Sequence, residues 1–150
     1  MLKANFITAQ EAAEKIQDGS TLCTIGMTLV SASESILKAI EKRFETVGHP
    51  ADITLVHSCG QSDRKDGIQH LAHEGLVKRI IGSHWGLQPR WMERIANSQV
   101  EAYCLPQGQI AQLYRSMACG LPGKMSKVGL GTFIDPRVEG GKMNDRTKPL

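Results

Sequence analysis

From end to end, the sequence alternates between short β-branched runs and longer stretches whose apolar residues recur at helical spacing. Residues 21–25, 53–56, 77–81 and 100–104 have strand length and are rich in Val, Ile, Leu and Thr. Helical periods lie between and around them. Ala9, Ala12, Ala13 and Ile16 form one apolar stripe, and Ile36, Leu37, Ile40, Phe44 and Val47 form a second. Trp91, Met92 and Ile95 face inward after a Pro89 start, and Ile110, Ala111, Leu113, Tyr114, Met117 and Ala118 form the last stripe. A short helix is expected over 68–73 and a fifth short strand near Val128. Such alternation predicts an α/β fold: an open, mainly parallel sheet with right-handed crossovers and helices on both faces.

Local punctuation supports these boundaries. Thr8 followed by Glu11, and Ser31 followed by Glu34, both carry the capping-box spacing. Asp18-Gly19 closes the first helix, His49-Pro50 the second, and Gly120 with Pro122 the last. Residues 138–150 are polar and aperiodic, and read as a tail on a single domain spanning 1–150.

Ligands of open parallel sheets gather at the carboxyl ends of the strands. Here those ends carry Gly26, His57-Ser58, the segment 82–86 with His84 and Trp85, and Pro106-Gln107-Gly108. Gln107 follows a residue of fixed φ and precedes one of free φ. An amide on such a turn can be aimed at a substrate oxygen, although a turn glutamine bonding its own loop has the same pattern. The loop Gly129-Leu130-Gly131-Thr132 permits close backbone approach to a ligand, and Lys124 and Lys127 flank it. A Trp at position 85, beside Gly86, can wall a pocket or simply pack.

Charge and composition narrow the function classes. A formal charge of +3 with dispersed basic residues calls for no nucleic acid partner. The 4 cysteines are far apart, which predicts buried reduced thiols in a cytoplasmic protein. The longest uncharged run, 19–33, is too short and too rich in Ser, Thr and Gly for a membrane span. His70 and His73 could share a helical face as metal ligands, but no third ligand is evident, so both are expected as surface histidines and no metal is expected. Glu34 and Glu74 read as capping or surface charges. Cys59, in His57-Ser58-Cys59, reads as structural, since no acid or base partner is spaced for a nucleophile.

Several pieces together resemble one family. Leu105-Pro106-Gln107-Gly108, the Gly120-x-Pro122-Gly123 stop, Val128 to Asp135, and Glu139-Gly140-Gly141-Lys142 are similar to the acetate/acetoacetate CoA-transferases. The similarity continues through 74–78 and 82–86. It is most specific to the amino-terminal part of the single-chain bacterial family I acyl-CoA:carboxylate CoA-transferases. The resemblance implies the open sheet shared with ribose-5-phosphate isomerases. It implies transfer of CoA between a short-chain acyl-CoA and a carboxylate such as acetate or acetoacetate, with no cofactor beyond the CoA thioester substrate. It assigns Gln107 as the oxyanion donor and places Gly26, His84, Trp85, Gly108, Gly129 and Gly131 at the substrate. The family's nucleophilic glutamate lies in a carboxy-terminal half or a β-type subunit, and none of the 15 acidic residues here matches its context. The isolated chain is therefore expected to be inactive, to expose the surface meant for its mate, and to form homo- or hetero-oligomers.

One departure stands out. Where the family carries a glycine cluster after the first strand, this chain reads Gly26-Met27-Thr28. Two other readings remain at this stage: a sugar-phosphate isomerase with Ser31-Ala32-Ser33-Glu34 as its phosphate loop, and a non-catalytic ligand-sensing or partner-binding module.

Overall fold

The computed structural model describes residues 5–149. Its centre is a sheet of four parallel strands in the order β1-β2-β3-β4. These are β1 (Thr21–Thr24), β2 (Ile53–His57), β3 (Val77–Gly82) and β4 (Glu101–Cys104). Helix α1 (Ala9–Glu14) precedes the sheet, and α2 (Glu34–Val47) joins β1 to β2. A 3-10 helix (Gly67–Leu71) lies between β2 and β3. Helix α3 (Pro89–Ala96) joins β3 to β4, and α4 (Gln107–Ala118) follows. No helix among the described residues is long and apolar enough to cross a membrane.

Register explains the core. Leu22 pairs with Leu55, Leu55 with Ile80, and Ile80 with Ala102, so one row of apolar side chains points to a single face. Sequential parallel strands wound in one sense put their crossovers on that face. Leu37 and Ile40 of α2, Ile68 and Leu71 of the 3-10 helix, and Trp91 and Ile95 of α3 close over it, and all are buried. The next row, Cys23, Val56, Ile81 and Tyr103, faces the other way. Helix α4 runs back across the sheet, bringing the Tyr114 hydroxyl within 3.5 Å of the Thr24 carbonyl.

Thr8 forms the expected capping box: its hydroxyl accepts from Glu11 N–H at 3.2 Å while Glu11 accepts from Thr8 N–H at 2.7 Å. The second expected box does not form. Helix α2 starts at Glu34 behind Ser33, which makes no side-chain cap, and Ser31 takes a left-handed φ of 61°. The tight turn from Met27 to Val30 delays the helix, so Glu34 is free to reach elsewhere.

Other expectations are corrected. Among the described residues, 128–141 form consecutive turns and bends and no fifth strand, because Gly129 and Gly131 turn the backbone at φ 91° and 77°. Cys23 and Cys119 are exposed and Cys59 and Cys104 half-buried, so none is a buried thiol. Met92 is exposed rather than inward-facing.

The polar tail is ordered along β4. Lys142 bridges Tyr103 in antiparallel sense, and Met143 N–H donates to the Ala102 carbonyl at 2.9 Å. Thr147 Oγ1 accepts from Ala102 N–H at 2.8 Å and donates to Asn144 Oδ1 at 2.7 Å. Asn144 in turn donates to the carbonyls of Ile95 and Val100, each at 2.9 Å. The tail therefore covers the backbone edge of β4 through hydrogen bonds, which leave no mark in apolar periodicity.

Candidate active-site edge

The carboxyl ends of the strands are locked together by two histidines and the glycines that make room for them. His57, the last residue of β2, is fully buried. Its Nδ1–H donates to the Cys59 carbonyl at 2.7 Å, leaving Nε2 buried without a partner. Burial lowers its pKa from 6.5 to about 4. The ring lies against the Cα of Gly82, where any Cβ would overlap Nε2. Trp85 meets the same ring edge-on, with centroids 5.1 Å apart and planes at 87°.

His84 is exposed at its outer face, but its Nδ1 packs against Gly60, where a Cβ would stand only 2.7 Å away. Ser83 Oγ donates to the Ser58 carbonyl at 2.5 Å, tying the end of β3 to the end of β2. The Gly60 carbonyl also accepts from Thr28 N–H at 2.8 Å. Gly26, Thr28, Gly60, His84 and Trp85 are thus one connected edge.

Gly26 is required for its geometry: at φ 140° a Cβ would stand 3.0 Å from the Val30 carbonyl. Thr28 adopts φ 55°, a conformation that favours glycine. Its amide is already spent on Gly60, and Met27 beside it is exposed. This loop therefore presents the Met27 side chain outward, with the Met27 and Thr28 amides paired to the carbonyls of Val30 and Gly60.

Gln107 opens α4 behind Pro106, whose φ of −60° and ψ of 128° turn the chain into the helix. Gln107 and Gly108 are both exposed. Among the described residues the Gln107 amide makes no hydrogen bond, so the side chain is not folded onto its own turn. Leu105 N–H donates to the Gly82 carbonyl at 2.9 Å, which fixes this turn to the end of β3.

Beside the first turns of α4 runs a groove of about 250 Å³. Pro106, Gln109 and Leu113 line one wall, and Lys124, Gly129 and Ile134 the other. The groove brings Gly129 to the Gln107 turn, while Gly131 and Lys127 are not among its lining residues. The Gly131 amide is held by Asp135, whose Oδ2 accepts from it at 2.8 Å. Arg137 grips the same carboxylate through Nε at 3.0 Å and Nη2 at 2.6 Å. The Arg137 side chain, then these backbone N–H groups, hold the Asp135 pKa well below the usual carboxylate range. Sequence reading missed this clasp, and the Asp-x-Arg spacing was the available signal. It also missed Gln88, fully buried with both amide atoms unpartnered beside Gly60. No pattern in the sequence marked that residue.

The family model for Coenzyme A transferase matches residues 6–148. The chain belongs to that family. It is 42% identical over 145 residues to the caffeate CoA-transferase of Acetobacterium woodii, covering 96% of itself and 28% of that protein. It is 38% identical to the acetate CoA-transferase YdiF of Escherichia coli K12, covering 95% of itself and 27% of the relative. The crystal structure of the acyl-CoA transferase YdiF apoenzyme from Escherichia coli O157:H7 superposes with a TM-score of 0.88 at 37% identity. That superposition covers 95% of this chain and 28% of the other. The chain thus spans little more than a quarter of the length of these relatives.

Proposed function

We propose that this chain is the amino-terminal part of a CoA-transferase that moves CoA between a short-chain acyl-CoA, such as acetyl-CoA or acetoacetyl-CoA, and a carboxylate. The observation that carries this reading is the Gln107 amide. It is exposed at the carboxyl edge of the sheet, on a turn fixed by Pro106 and by the Leu105–Gly82 hydrogen bond, next to a groove that Lys124 flanks. Relatives of this chain are described as acetate and caffeate CoA-transferases.

The chemistry has two halves. A glutamate carboxylate, supplied by a carboxy-terminal half or by a separate β-type chain, attacks the thioester carbonyl. Expulsion of CoA thiolate leaves an acyl-glutamyl anhydride. The thiolate then attacks the glutamyl carbonyl, releasing the acyl carboxylate and leaving a glutamyl-CoA thioester. An acceptor carboxylate reverses the sequence. Each addition places negative charge on a carbonyl oxygen, and Gln107 donates its amide N–H to that oxygen. A donor held in place before the reaction needs no reorganisation when charge develops. Gly26, His84, Trp85, Gly108, Gly129 and Gly131 shape the surrounding surface. Met27 and Thr28, where related enzymes carry glycines, bias the choice of acyl group.

The exposed apolar side chains Ile25, Met27, Val30, Leu121 and Val128 are each left in water, and cover by a mate would relieve that exposure. A relative in Clostridium acetobutylicum is named as the alpha subunit of an acetoacetyl-CoA:acetate/butyrate CoA transferase, which fits an arrangement with the partner as a separate chain.

The test is Gln107→Ala in the complete transferase. Its kcat should fall about 100- to 1,000-fold, with little change in Tm because the side chain is exposed. Unaltered kcat would refute the oxyanion role. The isolated chain, given acyl-CoA and hydroxylamine, should release no acyl hydroxamate; clear turnover would show that the nucleophile is already present.

A further inference from the structure

The most heavily charged cluster in the structure lies away from the sheet edge, where α2 meets the 3-10 helix, and it is centred on His70. Both nitrogens of this one imidazole face carboxylates. Nε2 is 2.8 Å from Glu34 Oε1, and Nδ1 is 2.5 Å from Glu41 Oε2. Asp66, on the turn just before the 3-10 helix, stands 3.4 Å from Nε2. A neutral imidazole has one protonated nitrogen and one lone pair. In either neutral tautomer that lone pair would face a carboxylate oxygen at hydrogen-bond distance. Only the doubly protonated ring satisfies both contacts.

The surrounding charges agree. From α2, Lys38 pairs with Glu34 at 3.0 Å and with Asp66 at 3.6 Å. From α3, Arg90 approaches Glu41 at 3.8 Å. Three carboxylates facing His70 thus meet two fixed cations, leaving one negative charge for the imidazolium to neutralise. Farther along the same interface, His73 Nε2 binds Glu41 Oε1 at 2.8 Å, near Glu45. The ring of His70 is 12% exposed, so water contributes little to its solvation.

We propose that His70 is a charged staple joining α2 to the 3-10 helix, and that its deprotonation loosens the 58–72 loop that supports the strand-end edge. The mechanical connection is continuous. Glu34 Oε2 also accepts from Gly67 N–H at 2.9 Å, and Ile68 N–H donates to the Gln61 carbonyl at 2.9 Å. Gln61 Nε2 donates to the Thr24 carbonyl at 2.9 Å, and the adjacent Gly60 holds Thr28 and abuts His84. A change at His70 therefore reaches the carboxyl ends of β1, β2 and β3 through a single loop.

The sign follows from the environment. Burial opposes the charged ring, but hydrogen bonds to Glu34 and Glu41 outweigh it, and the His70 pKa lies above its ordinary 6.5. The staple is fully engaged below the unfolded-state value. It is lost as pH rises through the higher folded-state value. Glu34 stays ionised across this range, since its pKa lies below the ordinary carboxylate value: although burial opposes this, Lys38, His70 and Gly67 together outweigh it.

The experiment is a pH titration of the chain followed by imidazole nitrogen chemical shifts, with amide hydrogen exchange recorded across the same range. It needs no turnover, so it stands apart from the transferase reading. At pH 6, both His70 nitrogens should show imidazolium shifts, with a midpoint above 6.5. Protection of amides 60–72, corrected for intrinsic exchange, should fall through that midpoint. The fall should be about tenfold for each pH unit by which the folded midpoint exceeds the unfolded one. In His70→Gln, which retains a donor and an acceptor without the charge, this pH-dependent loss should vanish. A neutral tautomer at pH 6, a midpoint below 6.5, or protection that ignores the titration would overturn the proposal. So would zinc binding that displaces the ring protons at micromolar metal.

Discussion

His57 and Gly82 are complementary: the imidazole of the first occupies the volume that a side chain on the second would need. One sits at the end of β2 and the other at the end of β3, so the pair sets how closely these strands approach at the edge that carries Gln107.

Gly82→Ala should therefore destabilise the chain by about 1–3 kcal/mol through overpacking. The cost should shrink when His57→Ala is made in the same molecule, with a coupling of about 0.5–3 kcal/mol between the sites. Urea unfolding of the two single variants and the double variant measures this. Strictly additive costs would contradict the packing account.

The same histidine should make stability fall on acidification. Its folded-state pKa of about 4 lies below the unfolded 6.5. Between these values the unfolded chain binds the extra proton, so stability declines as pH drops through that window and levels off below it. The full effect is about 3 kcal/mol, from roughly 1.4 kcal/mol per pH unit. His57→Gln should flatten this part of the curve. His70 contributes with the opposite sign and at higher pH, so the two variants should alter opposite limbs of the profile.

Thr147→Val keeps the shape of the side chain and removes its oxygen. It leaves the buried Ala102 N–H without its 2.8 Å acceptor, an expected loss of about 1–3 kcal/mol. Exchange of the Ala102 amide should quicken selectively, because the strap across β4 has lost its anchor. Wild-type protection at that amide would show that the contact adds nothing.

Much of the architecture was readable from the chain itself. The four strand runs, the Thr8–Glu11 box, the Pro89 start and the Gln107 turn all appear in place, because each depends on residues within one or two turns of one another. The family resemblance of the chain agrees with the family match. The site's support was less legible. Glu34 has the spacing of a cap, yet it bonds Gly67 and His70 across more than thirty residues. His70 was expected on the surface and is instead enclosed by three carboxylates. Residues 138–150 read as a polar tail, yet 141–148 line β4, since backbone groups and Thr147 carry that contact.

By itself, the sequence determined where most of the chain turns, which stretches become strand or helix, and which helix faces carry apolar stripes, because steric preference and apolar period act over short distances. Tertiary structure alone decided which charges meet, which glycines are irreplaceable and which edge the tail covers. Those outcomes depend on residues distant in the chain arriving within hydrogen-bond reach, and no local pattern encodes that arrival.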